Sequence, residues 1–192
     1  MAAILNCAMK QISIILMFSI LLYSCSKLGT RTLYKSNSHV SINGQRIGFL
    51  ELRCDSVLSK IYPNTNNVFR HTIDSTLHLY NELQVRYLSE HFCCKPPTAD
   101  EIRELCRLNN IDAVFYSTLK FTEELPYGYL DTSILMELYD KDGNLIIKSM
   151  HNTNIGNSYW KFPKPAMTIR DATYGALNRI LAEMKIGKIA SK

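Results

Sequence analysis

From Gln45 onward the apolar residues of this chain repeat at every second position, then at every third or fourth, then at every second again. A sheet with helices packed on it is the arrangement that buries such a series. In Gln45–Cys54, Leu50, Leu52 and Cys54 alternate with Glu51 and Arg53, while Ile47 and Phe49 fall on the other face. The strand is therefore expected to begin covered on both sides. After Pro63 and Asn64, either Asn66 or Asn67 is placed to cap a helix whose stripe is Phe69, Ile73, Leu77, Tyr80 and Leu83. Val85, Tyr87 and Leu88 read as the next strand, and strand, helix, strand predicts parallel pairing through a right-handed crossover.

A second unit follows. Pro96 and Pro97 interrupt the chain, Thr98 and Glu101 stand in capping-box positions, and Ile102, Leu105 and Cys106 mark the buried side of a short helix. Asn109 or Asn110 suits the left-handed residue that ends it. Residues 111–121 form a third strand. Thr132–Asp140 and Asn144–Met150 flank Lys141-Asp142-Gly143, whose glycine permits the tight turn of a hairpin. A last helix, Ile169–Met184, opens on Thr168 with Asp171 in the capping positions and carries Ile169, Ala172, Ala176, Leu177, Ile180 and Leu181 on one side. The expected fold is α/β (α+β), with a mixed sheet of about five strands in the order β-α-β-α-β-β-β-α.

The chain opens differently. Up to Ser24 its one charged side chain is Lys10, followed by the apolar run Ile12–Tyr23. A helix crossing a bilayer takes about 20 apolar residues, so this shorter run reads as the core of a secretory signal. Leu22-Tyr23-Ser24-Cys25 resembles a lipobox, in which an aliphatic and then a small residue precede the cysteine that is lipidated and becomes the mature N-terminus; the competing readings are an ordinary cleaved signal with an incidental Cys25 and an uncleaved anchor. The expected organisation is a signal peptide at 1–24, a lipid-anchored flexible tether at 25–40, a single domain at 41–187 and a disordered tail at 188–192. The tether is assigned on its Ser, Thr, Lys and Asn content without apolar period. Several acyl chains hold such a protein to a membrane stably.

Of 22 basic and 17 acidic residues, removal of 1–24 takes only Lys10. The remaining excess is mild and forms no block of like charge, which points away from nucleic acid as a partner and from a polybasic membrane patch, and reads as a solvated surface.

The runs LCRLNNIDAVFYSTLKF and ILMELYDKDGNLIIKS, followed by an amphipathic helix, resemble the curli-secretion (CsgG-like) and penicillin-binding-protein-activator (LpoB-like) envelope lipoproteins. Asn110-Ile111-Asp112-Ala113-Val114 stands where that group has Gly-Ala-Asp-Ala-Val, and Tyr139-Asp140-Lys141-Asp142-Gly143 where it has Val-Asp-x-x-x-Gly. The resemblance implies a non-catalytic, periplasm-facing lipoprotein, lipid-anchored to the outer membrane or alternatively the inner one, that binds an envelope protein or itself. Its role would be in cell-envelope assembly or export. The long hairpins of the secretion channels and the long Pro-rich tether of the activators have no counterpart here. A ring-forming export subunit is the alternative, and a hydrolase or small-ligand binder the third.

No catalytic signature is present, whether G-x-S-x-G, H-E-x-x-H or a phosphate-binding glycine loop. Adjacent Glu123 and Glu124, and His71 and His78, read as solvated positions. No cofactor and no metal are expected, although His91, Cys93, Cys94 and Cys106 include zinc-ligand types. Cys54 with Cys93 or Cys94 is the candidate disulfide, since both places follow the ends of strands expected to be neighbours and an exported compartment favours pairing. Cys106 reads as a small core residue. The candidate partner-binding residues are Tyr159, Trp160 and Phe162, with Tyr127 and Tyr129 from the preceding loop, because aromatics grouped in polar loops are enriched at binding hot spots.

Overall fold

A computed structural model describes residues 29–37, 45–54, 60, 62–80, 83–90, 95–124, 129–155 and 165–184, with backbone alone at 121–124, 129–131 and 154–155. Strand β1 is Gly29–Lys35, β2 Arg46–Leu50, β3 Gln84–Leu88, β4 Ala113–Glu124, β5 Tyr129–Asp140 and β6 Leu145–Ile155; helix α1 is Thr65–Leu77, α2 Ala99–Asn109 and α3 Pro165–Glu183. They form one mixed sheet in the order β1-β6-β5-β4-β2-β3. Central β2 pairs in parallel with β3 and with β4, while β4, β5, β6 and β1 run antiparallel. The expected mixed sheet with helices packed on it is what forms, an α+β arrangement.

Each sheet face has its own apolar cluster. Ile47, Phe49, Phe115, Ile134, Met136, Leu138 and Ile147 point to the face covered by α1 and α3. Leu50, Leu88, Val114 and Tyr116 meet Ile102, Leu105 and Cys106 of α2 on the other. Phe49 stacks on Phe115 with centroids 4.5 Å apart at 8°. Coverage on both sides explains why β2 reads as a nearly continuous apolar run.

Local signals set the ends of α2. The Thr98 hydroxyl accepts from the Glu101 N–H and the Glu101 carboxylate accepts from the Thr98 N–H, closing a capping box, and Asn110 ends the helix in the left-handed region at φ 51°. Gly143 turns the β5–β6 hairpin at φ 82°, and a Cβ there would lie 2.4 Å from the Ala99 carbonyl oxygen, so the turn also seats the first residue of α2.

Four expectations are corrected. The sheet has six strands, because residues assigned to a flexible tether at 25–40 include β1, paired along β6 from Gly29↔Asn152 to Lys35↔Ile147. An edge strand is held by backbone pairing and polar clasps and needs no apolar stripe, so composition concealed it. Helix α1 begins at Thr65, ahead of the expected Asn66 or Asn67 cap, and the Asn66 side chain instead accepts from the Leu52 N–H at 2.9 Å. Leu52 packs with the α1–α3 cluster rather than beside Leu50, because β2 ends at Leu50 and the chain rejoins β4 only through an Arg53↔Thr118 bridge. Helix α3 starts at Pro165, where a ring-fixed φ and a missing N–H suit a first helical position. Thr168 is buried inside it, donating to the Pro165 carbonyl at 2.9 Å and accepting from the Thr132 hydroxyl at 2.8 Å.

Candidate functional site

Strand β1 forms one outer edge of the sheet and α3 runs beside it. A groove of about 570 Å³ between them is lined by Thr30, His151, Asp171, Tyr174, Asn178 and Arg179. Three polar clasps hold β1 to its neighbours. Thr30 Oγ1 lies 2.6 Å from His151 Nδ1, Arg179 donates to the Thr32 hydroxyl at 2.7 Å, and Lys35 reaches the Glu183 carboxylate at 2.8 Å. Glu183 also pairs with Arg179 at 2.8 Å. Hydrogen bonding from Lys35 is the main reason its carboxyl group is held below the usual range.

A β-bulge produces this arrangement. The β1–β6 register shifts between Thr32 and Tyr34, leaving Leu33 as the extra residue. Thr30 and Thr32 face α3 before the bulge and Lys35 does so after it, while Arg31 and Tyr34 lie on the opposite face. Without the extra residue, Lys35 would point away from Glu183.

His151 is half-buried, and Gly175 of α3 makes room for it: a Cβ on Gly175 would sit 2.2 Å from His151 Nδ1. Burial lowers the imidazole pKa, partly offset by Asp171, so the neutral ring is favoured. Thr30 and His151 are close enough for a nucleophile and base. Asp171, however, is engaged by Arg170 at 3.1 Å and makes no hydrogen bond to the ring. The histidine acts as a clasp on β1.

The opposite face of β5, β6 and β1 carries a second polar group. Glu137 is buried at 5% exposure, yet its carboxylate meets Lys148 at 2.5 Å and accepts from the Tyr139 hydroxyl at 3.1 Å. Burial and the Glu137 charge push the Tyr139 phenol up. Arg53 donates to the Tyr116 hydroxyl at 2.9 Å on the same side of the sheet. Near the carboxyl ends of β2 and β3, Glu51 pairs with Arg70 at 2.9 Å, Arg70 lies over the Tyr87 ring at 5.2 Å, and the Tyr87 hydroxyl donates to Asp74 at 2.6 Å. These groups satisfy one another and tie α1 to the sheet.

Leu22, Tyr23, Ser24 and Cys25, the aromatics Tyr127, Tyr159, Trp160 and Phe162, and Cys93 and Cys94 lie outside the described residues. Tyr129 is described through its backbone, which pairs with Glu124. Cys54 packs at the rim of the α1–α3 cluster and Cys106 is buried in the α2 cluster, on opposite sides of the sheet. Burial pushes the Cys106 thiol up to about 11, in keeping with a core residue. His71 is exposed on α1 and His78 is exposed just past its end. Sequence reasoning missed Thr30, His151 and Arg179. The available signal was Gly175, a lone glycine inside a helical pattern, which often marks close packing.

No protein-family model matches the chain, and no curated protein is similar to it in sequence. Solved structures do match. The PelC dodecamer from Paraburkholderia phytofirmans is 11% identical, with a TM-score of 0.55 over 83% of this chain and 98% of that one. A single-substitution form of the same dodecamer gives 0.54 over 82% and 98%, again at 11% identity. The chain shares its fold with PelC. The protein CT253 from Chlamydia trachomatis is 14% identical over 73% of this chain and 97% of that one, at a TM-score of 0.47, too low to add to the argument. At such identities the PelC match concerns the fold alone.

Proposed function

We propose that this chain is a non-catalytic lipoprotein, fixed to a membrane through Cys25 and facing the periplasm, where it serves as a protein-interaction module in cell-envelope assembly or export. One observation carries the reading: a short apolar run with a single preceding lysine ends on Leu22-Tyr23-Ser24-Cys25, four residues before the first described strand at Gly29. A cysteine placed between an export signal and the first strand is where a lipid anchor leaves the domain unobstructed. The resemblance to CsgG-like and LpoB-like lipoproteins supports the same role.

Replacing Cys25 with serine in the native host tests it. The wild-type protein is expected in the membrane fraction with the mass of an acylated chain starting at Cys25. The variant is expected to be unacylated and to lose signal cleavage at that position. A C25S variant that matures and stays with the membrane as the wild type does refutes the anchor.

A second reading, a subunit of a ring, is favoured by the fold shared with PelC, which was solved as a dodecamer. Mass photometry of the mature protein distinguishes the two, since a ring gives a discrete high-mass species and a monomer at every concentration excludes self-assembly.

A further inference from the structure

The acidic residues of this chain are unevenly placed. None precedes Glu51, whereas Lys27, Arg31, Lys35 and Arg46 all lie between Cys25 and that point. Beyond Arg46 the chain holds 17 basic and 17 acidic residues, so the whole excess of the mature protein belongs to its first part. Lys27 and Arg31 lie nearest the anchor, Arg31 at an exposed position of β1.

The reach of the chain is equally restrictive. At about 3.5 Å per residue, the four steps from Cys25 to Gly29 span at most about 14 Å. An acylated Cys25 therefore holds the start of β1 within one strand length of the lipid surface. Leu33 and Tyr34 are 48% and 46% exposed, and the face of β1 that carries Arg31 and Tyr34 lies away from α3. Leucine, tyrosine and a basic residue are the combination that settles at the boundary between headgroups and acyl chains.

Resting on the lipid-anchor reading above, we propose that the open face of β1, through Arg31, Leu33 and Tyr34, docks on a membrane surface rich in anionic headgroups and so fixes the orientation of the domain. The lipid supplies attachment, and the strand supplies direction. Charge complementarity and the short reach favour a bilayer over a protein at this face.

The experiment uses the acylated full-length mature protein in vesicles of phosphatidylcholine alone or with phosphatidylglycerol, reading hydrogen exchange at residues 29–35. Protection is expected with phosphatidylglycerol and is expected to fall with added salt. Arg31→Gln should lower the docked-to-undocked ratio about fivefold, the effect of one basic residue near an anionic surface. Tyr34→Ser should lower it as well, while Leu108→Ser on exposed α2 should not. All three positions are at the surface, and circular dichroism verifies that the fold is kept. Equal exchange in both vesicle types, or no effect of R31Q, overturns the proposal while leaving the anchor intact. Protection that arises without vesicles and grows with protein concentration assigns the strand to a second copy and also overturns it. A Cys25 found without acyl mass removes the anchor and the proposal together.

Discussion

Gly175→Ala sets two opposing terms against each other. Alanine is the better helix former by about 1 kcal/mol, so in an open helix the change would stabilise. Here the new methyl would sit 2.2 to 2.6 Å from three atoms of the His151 ring. The ring has to turn out of its half-buried place, and it gives up the 2.6 Å bond to Thr30 as it goes. Overpacking of this kind costs about 1–3 kcal/mol and a lost hydrogen bond about 1 kcal/mol. The sum is a net loss of about 1–3 kcal/mol. For a domain of this size that lowers Tm by several degrees. His151→Ala removes the obstacle, and in that background Gly175→Ala should stabilise by up to about 1 kcal/mol. Urea unfolding of the four proteins of the cycle supplies the assay. A G175A variant at least as stable as the parent would refute the cradle, and so would an unchanged sign of the effect in the H151A background.

The same histidine confers a pH dependence. Burial depresses its folded-state pKa below the unfolded value near 6.5, so the unfolded chain binds the proton first. Its contribution is complete above about pH 6.5 and is lost as pH falls through the folded pKa; His151→Gln should flatten that part of a stability-against-pH curve. Gly143→Ala is expected to cost about 2–4 kcal/mol, from a positive φ together with a clash against the Ala99 carbonyl, measured as a lower urea midpoint. Lys148→Met strands the buried Glu137 carboxylate and should cost about 1–3 kcal/mol, discounted because the lysine is partly exposed. Adding Glu137→Leu should recover most of that loss in the same assay.

Where an element owed its existence to an apolar period or a local cap, the residues declared it. The box of Thr98 and Glu101, the left-handed Asn110 and the Gly143 turn are each decided within a few positions, and all stand as expected. Leu50 and Leu52 show the opposite. Their alternation is real in the sequence, but they belong to different clusters because the backbone leaves the sheet between them and returns at Arg53. Strand β1 was illegible for a related reason: its partners, His151, Arg179 and Glu183, are more than a hundred residues away. Composition reports what a segment can bury by itself and is silent about a backbone ladder offered from elsewhere. The groove inherited that blindness, since both of its walls depend on where β1 lies.

Finding β1 in the sheet changes how a lipid anchor would act on the domain. A flexible tether would let the domain tumble above the membrane, whereas a strand that begins four residues after Cys25 transmits the constraint directly to the sheet. A pull from such an anchor would run along β1, parallel to its ladder with β6, so the pairs from Gly29↔Asn152 to Lys35↔Ile147 would share the load and need not open one at a time. The bulge at Leu33 adds to this by turning Lys35 toward Glu183, which links the far end of the strand to the last turn of α3. In a lipid-anchored protein the β1 clasps, more than the core clusters, would then decide whether the domain stays at a fixed height and angle above the bilayer. Weakening them by Thr30→Val with Lys35→Ala should raise hydrogen exchange in β1 and at its β6 partners while leaving β2 and β4 protected. Equal acceleration throughout the sheet would show that β1 unfolds only with the whole domain.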